Sequence, residues 1–148
     1  MKKCILFNPP GAVDVYSKSK VRAAIPKLPS LSLAMIAGSL LEEGLTVRIV
    51  DLALVDADNA VEAEIIGFKP DMVGVTATTP LFYEACRISE ITKKVSADIL
   101  TVLGGPHSSA LPLDSLRESS FDLAVVGEGE MAIKEIAKNG KCKAIKGV

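Results

Sequence analysis

Residues 69–105 read KPDMVGVTATTPLFYEACRISEITKKVSADILTVLGG, and the architecture of the chain can be predicted outward from this stretch. Two short apolar runs rich in β-branched residues, Met72–Val75 and Ile99–Leu103, are bounded by turn residues and are predicted to be buried strands. The segment between them, Leu81 to Val95, carries apolar residues at helical spacing. A strand, a helix and a strand in this order predict two parallel strands joined by a right-handed crossover.

The same alternation extends in both directions. Further strands are predicted at Cys4–Phe7, Thr46–Val50 and Leu123–Val126, with Ala144–Ile145 as a last candidate. Further helices are predicted at Leu31 to Glu43, Ala57 to Ile66, Leu113 to Glu118 and Glu128 to Lys138, with Gly44, Gly67 and Gly140 as stops. We therefore expect one α/β domain over residues 1–148. It is a three-layer α/β/α, flavodoxin-like (Rossmann-like) fold with a parallel five-stranded sheet in the order 2-1-3-4-5.

The composition excludes several classes of protein. The chain has 148 residues, is 49% apolar, and carries a net charge of −1, so nothing in its charge favours nucleic acid or an anionic membrane. Three cysteines fit neither a metal site nor a secreted disulfide framework. No apolar run is long enough for a signal peptide or a membrane span, so a cytoplasmic protein is expected. Gly11 to Lys27 is predicted to be an exposed loop.

Ligands of open parallel sheets bind at the carboxyl ends of the strands. The residues there supply glycines for close backbone approach and neutral hydroxyls, without a nucleophile–base pair, which favours holding a ligand over acid–base catalysis. The candidate cofactor-binding residues are Asn8, Pro9, Pro10, Thr76, Thr78, Thr79, Gly104, Gly105, Pro106, His107, Gly127, Glu128 and Gly129. No catalytic residue and no protein metal ligand is predicted.

Each candidate also has a structural interpretation. Gly104-Gly105 could be an ordinary turn, and Thr78 or Thr79 could cap the helix that follows Pro80. His107, the single histidine, could be a hydrogen-bonded structural residue. Glu128 and Glu130 suit the first turn of a helix through its dipole. Asp51 could bind a ribose, but no G-x-G-x-x-G follows the first strand.

Several segments taken together resemble one family, the cobalamin-binding domains of cobalamin-dependent radical S-adenosylmethionine (SAM) proteins. The group includes the anaerobic magnesium-protoporphyrin monomethyl ester cyclases and many methyltransferases. The resemblance covers nearly the whole chain. It rests on Leu28–Ala34, Leu40–Val47, Asp51, Lys69–Thr76, Leu103–His107 and Asp122–Glu130, and the Gly-Gly-Pro-His and Gly-Glu-Gly-Glu pieces are the most specific.

The resemblance implies a pocket for the nucleotide tail of cobalamin. In such folds a small hydroxyl residue after the third strand meets the tail, and Thr76 matches it, with Thr78 where the related methionine synthase pattern has leucine. Gly104 and Gly105 match the paired glycines along the tail, where a side chain, at Gly105 above all, is expected to occupy the tail's space. Gly127, Glu128 and Gly129 match the turn that closes the pocket.

Two departures refine the expectation. The D-x-H-x-x-G motif, whose histidine ligates cobalt, is replaced by Asn8-Pro9-Pro10-Gly11, as is common among the radical enzymes, so base-off cobalamin without a histidine from this loop is expected. The C-x-x-x-C-x-x-C motif of the radical domain is absent from the sequence. The resemblance therefore implies a non-catalytic domain, which either precedes the radical domain in a longer protein, a radical SAM methyltransferase or cyclase, or is a lone remnant. A C-terminal radical domain in that protein would hold a 4Fe-4S cluster and SAM.

Three alternatives stay open. A flavodoxin-like domain could bind a nucleotide or a flavin at the same edge, because glycine-rich strand ends are common to these folds. A degenerate cobalamin fold could have lost its cofactor. A phospho-receiver is disfavoured, because Thr76 and Gly127 stand where a receiver needs an aspartate and a lysine.

Overall fold

The computed structural model describes residues 1–10, 30–52 and 57–140 of the chain. Five strands lie in one sheet: β1 (Lys3–Asn8), β2 (Thr46–Asp51), β3 (Met72–Thr76), β4 (Leu100–Gly104) and β5 (Leu123–Ala124). Every pairing is parallel, and the order is β2-β1-β3-β4-β5. The expected order 2-1-3-4-5 is confirmed.

Helices cover both faces of the sheet. They are α1 (Leu31–Glu42), α2 (Ala57–Phe68), α3 (Phe82–Val95), α4 (Pro106–Ala110), α5 (Pro112–Arg117) and α6 (Gly129–Asn139). A single 3-10 turn, Thr79–Leu81, precedes α3. Helices α1 and α6 pack on one face, and α2 and α3 pack on the other. The short helices α4 and α5 connect β4 to β5.

The alternation of side chains along each strand produces two separate cores. In β1, Cys4 and Leu6 join the core beneath α1 and α6, while Ile5 and Phe7 join the core beneath α2 and α3. All four residues are essentially inaccessible to solvent. Because both faces of the central strands are buried, they read as continuous apolar runs in the sequence.

The helix ends follow local chemistry. The Ser30 side chain caps α1 by accepting a hydrogen bond from the Leu33 amide at 3.4 Å, and Gly44, at φ 80°, follows its end. Helix α2 continues through the predicted stop at Gly67, so that prediction was wrong. The chain leaves the helix at Lys69, at φ 54°, and Pro70 then prevents its continuation.

Polar side chains fix the amino-terminal edge of the sheet. The Asp71 carboxylate accepts hydrogen bonds from the backbone amides of Lys2 and Lys3 at 2.6 and 2.9 Å, and these bonds lower the pKa of that carboxyl. At the start of β5, Asp122 accepts from the Lys93 ammonium at 2.6 Å and the Thr101 amide at 2.9 Å. The opposite edge carries the glycine-rich turns.

The other predicted elements differ from the structure in length or lie outside the described residues. The strand predicted at Leu123–Val126 is shorter, although the Val125 amide still donates to the Leu103 carbonyl at 2.8 Å. Helix α4 was not predicted. The predicted loop Gly11 to Lys27 and strand Ala144–Ile145 lie outside the described residues. Among the described helices, none has both the length and the apolarity needed to cross a bilayer.

Candidate functional site: a groove between α1 and α6

A groove of about 340 Å³ opens at the carboxyl edge of the sheet, between α1 and the start of α6. Its floor is formed by strand residues on the α1 and α6 side: Leu6, Gly74, Val102 and Val125. Its walls come from the two helices: Ser32, Leu33, Met35, Ile36 and Ile133. The lining is largely aliphatic, so the groove suits an apolar, uncharged group.

The groove is open above β4, where Gly104 has no side chain, whereas Leu6 occupies the space beside Gly74 of β3. Gly74 in β3 and Gly104 in β4 both point to the α1 and α6 side by the alternation of their strands. A Cβ built at Gly74 would lie 2.8 Å from Cδ2 of Leu6, whereas one built at Gly104 would meet no atom within 4 Å. Gly104 therefore borders open space, and a side chain there would enter the groove.

Gly105 differs from Gly104. It adopts φ 97°, and a Cβ there would lie 2.7 Å from Oγ1 of Thr76 and 2.9 Å from the carbonyl oxygen of Ala77. The turn after β4 is thus pressed against the end of β3, where the His107 amide donates to the Ala77 carbonyl at 3.0 Å. The expectation that a side chain at Gly105 would fill the ligand space is wrong, since it would collide with β3.

The turn after β5 forms the opposite rim. Gly127 adopts φ 77°, and Glu128 precedes the first residue of α6 without capping it through its side chain. A Cβ at Gly129 would lie 2.9 Å from Cδ1 of Ile36, so α6 approaches α1 closely at its start. Glu130 completes this rim. No lysine or arginine in the described part of the chain lines the groove.

Two surface ion pairs brace α1 against α6 below the groove. The Lys134 ammonium lies 2.5 Å from the Glu42 carboxylate, and that of Lys138 lies 3.2 Å from Glu43. The hydrogen bond from Lys134, with its charge, holds the pKa of Glu42 below its usual range. Such exposed pairs are screened by solvent and stabilise a fold little, so they orient the helices more than they stabilise the fold.

The structure divides the predicted site residues into two groups. Seven line the groove: Thr76, Gly104, Gly105, Pro106, Gly127, Glu128 and Gly129. Six lie outside its lining: Asn8, Pro9, Pro10, Thr78, Thr79 and His107. The Asn8 amide donates to the Asp51 carboxylate at 3.0 Å, and Thr78 precedes the 3-10 turn without capping it through its side chain.

His107 is only 6% exposed. Its Nδ1 lies 3.1 Å from the Thr79 hydroxyl, and its ring stacks on Phe82 with ring centres 4.1 Å apart. Phe82 belongs to the core beneath α2 and α3, so the imidazole is turned away from the groove and engaged by neighbours. This agrees with the structural interpretation of the single histidine.

Sequence reasoning missed the helical half of the groove. The periodicity of a helix does not show which strands it packs against, so the groove residues of α1 and α6 could not be identified: Ser32, Met35, Ile36 and Ile133. In the structure, the apolar residues Leu31 and Met35, one helical turn apart, are 75% and 52% exposed, and Met35 lines the groove. Gly74, inside an apolar strand, was a signal of close approach or empty space.

The chemistry of the groove is that of a binding site. Its side-chain polar groups are the hydroxyls of Ser32 and Thr76 and the carboxylates at the rim. No described residue forms a hydrogen bond with the Thr76 hydroxyl, which leaves it available to a ligand. No group of three potential metal ligands occurs among the described residues. The groove can hold and orient a ligand, but it has no nucleophile and base in contact.

A protein-family model described as the B12 binding domain matches residues 21–137. The chain belongs to the B12-binding domain family. The resemblance drawn from the sequence is thereby confirmed, and the matched range includes every groove residue except Leu6.

Two curated proteins resemble this B12-binding domain over most of its length. The uncharacterized methyltransferase PH0819 of Pyrococcus horikoshii is 37% identical over 123 residues, which cover 81% of this chain and 27% of that protein. The anaerobic magnesium-protoporphyrin IX monomethyl ester cyclase of Rubrivivax gelatinosus is 39% identical over 112 residues, which cover 71% of this chain and 20% of that protein. The chain thus spans about a quarter or a fifth of these relatives.

Solved structures share the fold. The radical SAM methyltransferase TsrM of Kitasatospora setae matches 93% of this chain and 25% of its own, with a TM-score of 0.76 and 22% identity. The match to the cobalamin-dependent SAM radical enzyme OxsB, solved with aqua-cobalamin and SAM bound, covers 99% of this chain and 20% of OxsB, with a TM-score of 0.76 and 20% identity. The flavodoxin-like architecture of the B12-binding domain is therefore found within larger radical SAM enzymes.

Proposed function

We propose that the groove holds the nucleotide tail of cobalamin and that the corrin ring lies over the carboxyl edge of the sheet. The observation that carries this proposal is the open space above Gly104, beside Gly74, which is closed on both sides by aliphatic residues of α1 and α6. At about 340 Å³, the groove lies at the small end of the range of about 300–1,000 Å³ for ligand sites. That size suits the tail rather than the much larger macrocycle.

The residues present fit the tail chemically. Its benzimidazole base is flat, uncharged and apolar, and it would exchange water for the aliphatic floor around Val102, Val125 and Leu6. The free hydroxyl of Thr76 offers one neutral hydrogen bond to the tail's sugar or base. The positive-φ turns at Gly105 and Gly127 bring backbone, rather than side chains, to the rim.

The contacts of His107 support a cofactor bound without a histidine from this domain. Its ring nitrogen contacts Thr79 in the 3-10 turn after β3, and no second histidine exists in the sequence. The first strand ends in Asn8-Pro9-Pro10, where the cobalt-ligating histidine of other cobalamin folds would stand. Base-off binding without a histidine ligand is therefore part of the proposal.

We further propose that the domain serves a longer cytoplasmic radical SAM protein, a methyltransferase or cyclase, whose other domain carries a 4Fe-4S cluster and SAM. The small share of each curated relative covered by this chain supports that arrangement. Bound cobalamin supplies methyl-transfer or radical chemistry through its cobalt. This chain's own residues would bind the tail, orient the ring and exclude water from the groove.

The test is binding to the purified 148-residue chain. Hydroxocobalamin should co-elute with the protein and show a shifted absorption spectrum, and a flavin mononucleotide control should pass through unbound. Retention of the flavin with cobalamin unretained at high micromolar concentration would replace this function with that of a flavin-binding domain. A chain that retains neither ligand would indicate a degenerate cobalamin fold.

A further inference from the structure

A serine connects the two glycine turns that form the rims of the groove. The Gly127 amide donates to Oγ of Ser109 at 3.0 Å, and that hydroxyl donates in turn to the Gly105 carbonyl at 3.0 Å. Both glycines line the groove, and Ser109 is behind them in α4. One side chain therefore links the turn after β4 to the turn after β5.

The preceding residue reinforces this connection from below. Ser108 is fully buried, and its hydroxyl donates to the Val125 carbonyl at 2.7 Å, with the Gly105 carbonyl as a second acceptor at 3.0 Å. Val125 belongs to the groove floor. The two serines thus join the Gly105 turn to both the floor and the far rim.

These bonds matter because the turn after β4 is held against β3, whereas the turn after β5 is connected to it through the two serines. Gly105 and Gly127 both adopt the left-handed region, and glycine has the widest conformational freedom of any residue. Neither turn is bonded to the other by a strand pair, since the β4–β5 ladder ends at Val125. The relative position of the two rims therefore depends on the serine hydroxyls.

We propose that Ser108 and Ser109 are positioning residues that set the separation of the two glycine turns and thereby the fit of the nucleotide tail. This inference rests on the proposed function, since it names what shapes the same groove. Removing the Ser109 hydroxyl frees an amide at Gly127, which is exposed, so water replaces the lost bond. The loss therefore acts on the geometry of the rim more than on the stability of the fold.

The chain offers a matched control in Ser119. Its hydroxyl donates to the Ser115 carbonyl four residues earlier at 2.5 Å and accepts from the Phe121 amide at 3.3 Å, the same pattern as in Ser109. Like Ser109 it is half-buried, but it follows α5 and does not line the groove. If Ser109 had only a structural role, replacing it and replacing Ser119 should change cobalamin binding equally.

The experiment compares Ser109→Ala, Ser109→Thr and Ser119→Ala in the 148-residue chain. Each is titrated with hydroxocobalamin and with dicyanocobinamide, which keeps the corrin ring but lacks the nucleotide tail. Ser109→Ala should weaken cobalamin binding about fivefold, the size of one neutral hydrogen bond, and leave cobinamide binding unchanged. Ser109→Thr should restore the affinity, and Ser119→Ala should change neither. Equal losses for both ligands, or equal losses for Ser109→Ala and Ser119→Ala, would overturn the positioning role.

Amide hydrogen exchange tests the same link without a ligand. The Gly127 amide should be protected in the unsubstituted chain and in Ser119→Ala, and should lose protection in Ser109→Ala. Unchanged protection in Ser109→Ala would overturn the inference even if cobalamin binds. If the unsubstituted chain binds neither corrinoid, the proposed function fails, and the exchange result still decides whether Ser109 holds the turns.

Discussion

The two faces of the central strands differ although the same residues build them. Toward α2 and α3, strands β3 and β4 present Val73, Val75 and Leu103, which are at most 3% exposed. Toward α1 and α6, the same strands end in Gly74, Thr76 and Gly104, which line the groove. Because successive side chains of a strand point to opposite faces of the sheet, one strand can complete a packed core on one face and leave space for a ligand on the other.

The aromatic residues sharpen the contrast. All four phenylalanines of the chain belong to, or pack against, the core beneath α2 and α3, whereas the core beneath α1 and α6 contains no aromatic residue within the described ranges. Aromatic side chains fill the most volume per residue. Their segregation to one face leaves the other face with aliphatic walls and unfilled space.

The largest effect should follow from filling the groove. Gly104→Leu places a side chain in the space that meets no atom within 4 Å, outside the left-handed region, so the fold should tolerate it. Cobalamin affinity should fall at least a thousandfold, about 4 kcal/mol, with cobinamide affinity retained. Isothermal titration measures both. If circular dichroism shows that Gly104→Leu is unfolded, or if the variant still binds cobalamin fully, the proposed difference between the two faces is wrong.

The neighbouring residue tests the packed face. Leu103→Ala removes a fully buried side chain beneath α2 and α3. It should lower the free energy of unfolding by about 3 kcal/mol, within the usual range of 2–5 for such truncations. Urea denaturation gives this value. Cobalamin affinity of the folded fraction should stay within about twofold, and a loss as large as that of Gly104→Leu would mean that the faces are not separable.

Two buried cysteines report on the two cores. Burial raises the pKa of Cys4, beneath α1 and α6, to about 12 and that of Cys86, beneath α2 and α3, to about 11. Both thiols are therefore protonated at pH 8, and a thiol reagent reaches them only when the structure opens.

In a Cys142→Ser background, which removes the third cysteine of the sequence, cobalamin at ten times its Kd should slow labelling of Cys4 about tenfold, because exposing this strand residue breaks the groove. Cys86, which lies on α3 and is 7% exposed, should slow less, through local opening of that helix. Mass spectrometry of the labelled peptides measures both rates. Equal slowing would show that the two faces open as one unit.

The smallest effect should come from the hydroxyl at the end of β3. Thr76→Ala removes one neutral hydrogen bond to the tail, so cobalamin affinity should fall about fivefold, within the 2- to 12-fold expected for 0.5–1.5 kcal/mol. Thr76→Ser, which keeps the hydroxyl, is the matched control and should bind normally. A greater loss for Thr76→Ala than for Gly104→Leu would mean that the tail does not run above β4.

The sequence predicted the sheet because its signals are local. Short apolar runs such as Met72–Val75, each closed by turn residues, identify buried strands without any knowledge of tertiary contacts. Helix α4 escaped prediction because five residues, Pro106–Ala110, are too few to show a helical period. Gly67 was mistaken for a helix stop because glycine is compatible with a helix interior at modest cost, and only Lys69's backbone angle reveals the true end.

The site was half predictable for a related reason. The topology brings the strand ends to one edge, so Thr76, Gly104 and Gly127 could be placed there from the sequence. Which face of that edge is open depends on how α1 and α6 cross the sheet, and no local pattern encodes that crossing. His107 illustrates the limit, because it follows Gly104 by only three residues yet turns to the opposite core.

The open space above Gly104 also has a genetic consequence. This space depends on the absence of a side chain at Gly104, and every glycine codon becomes a valine codon by one base change. A single mutation at Gly104 could therefore close the groove without unfolding the domain. Within such a family, ligand-free descendants should arise more readily than new ligand sites, and the residue at this position would distinguish them in a genome.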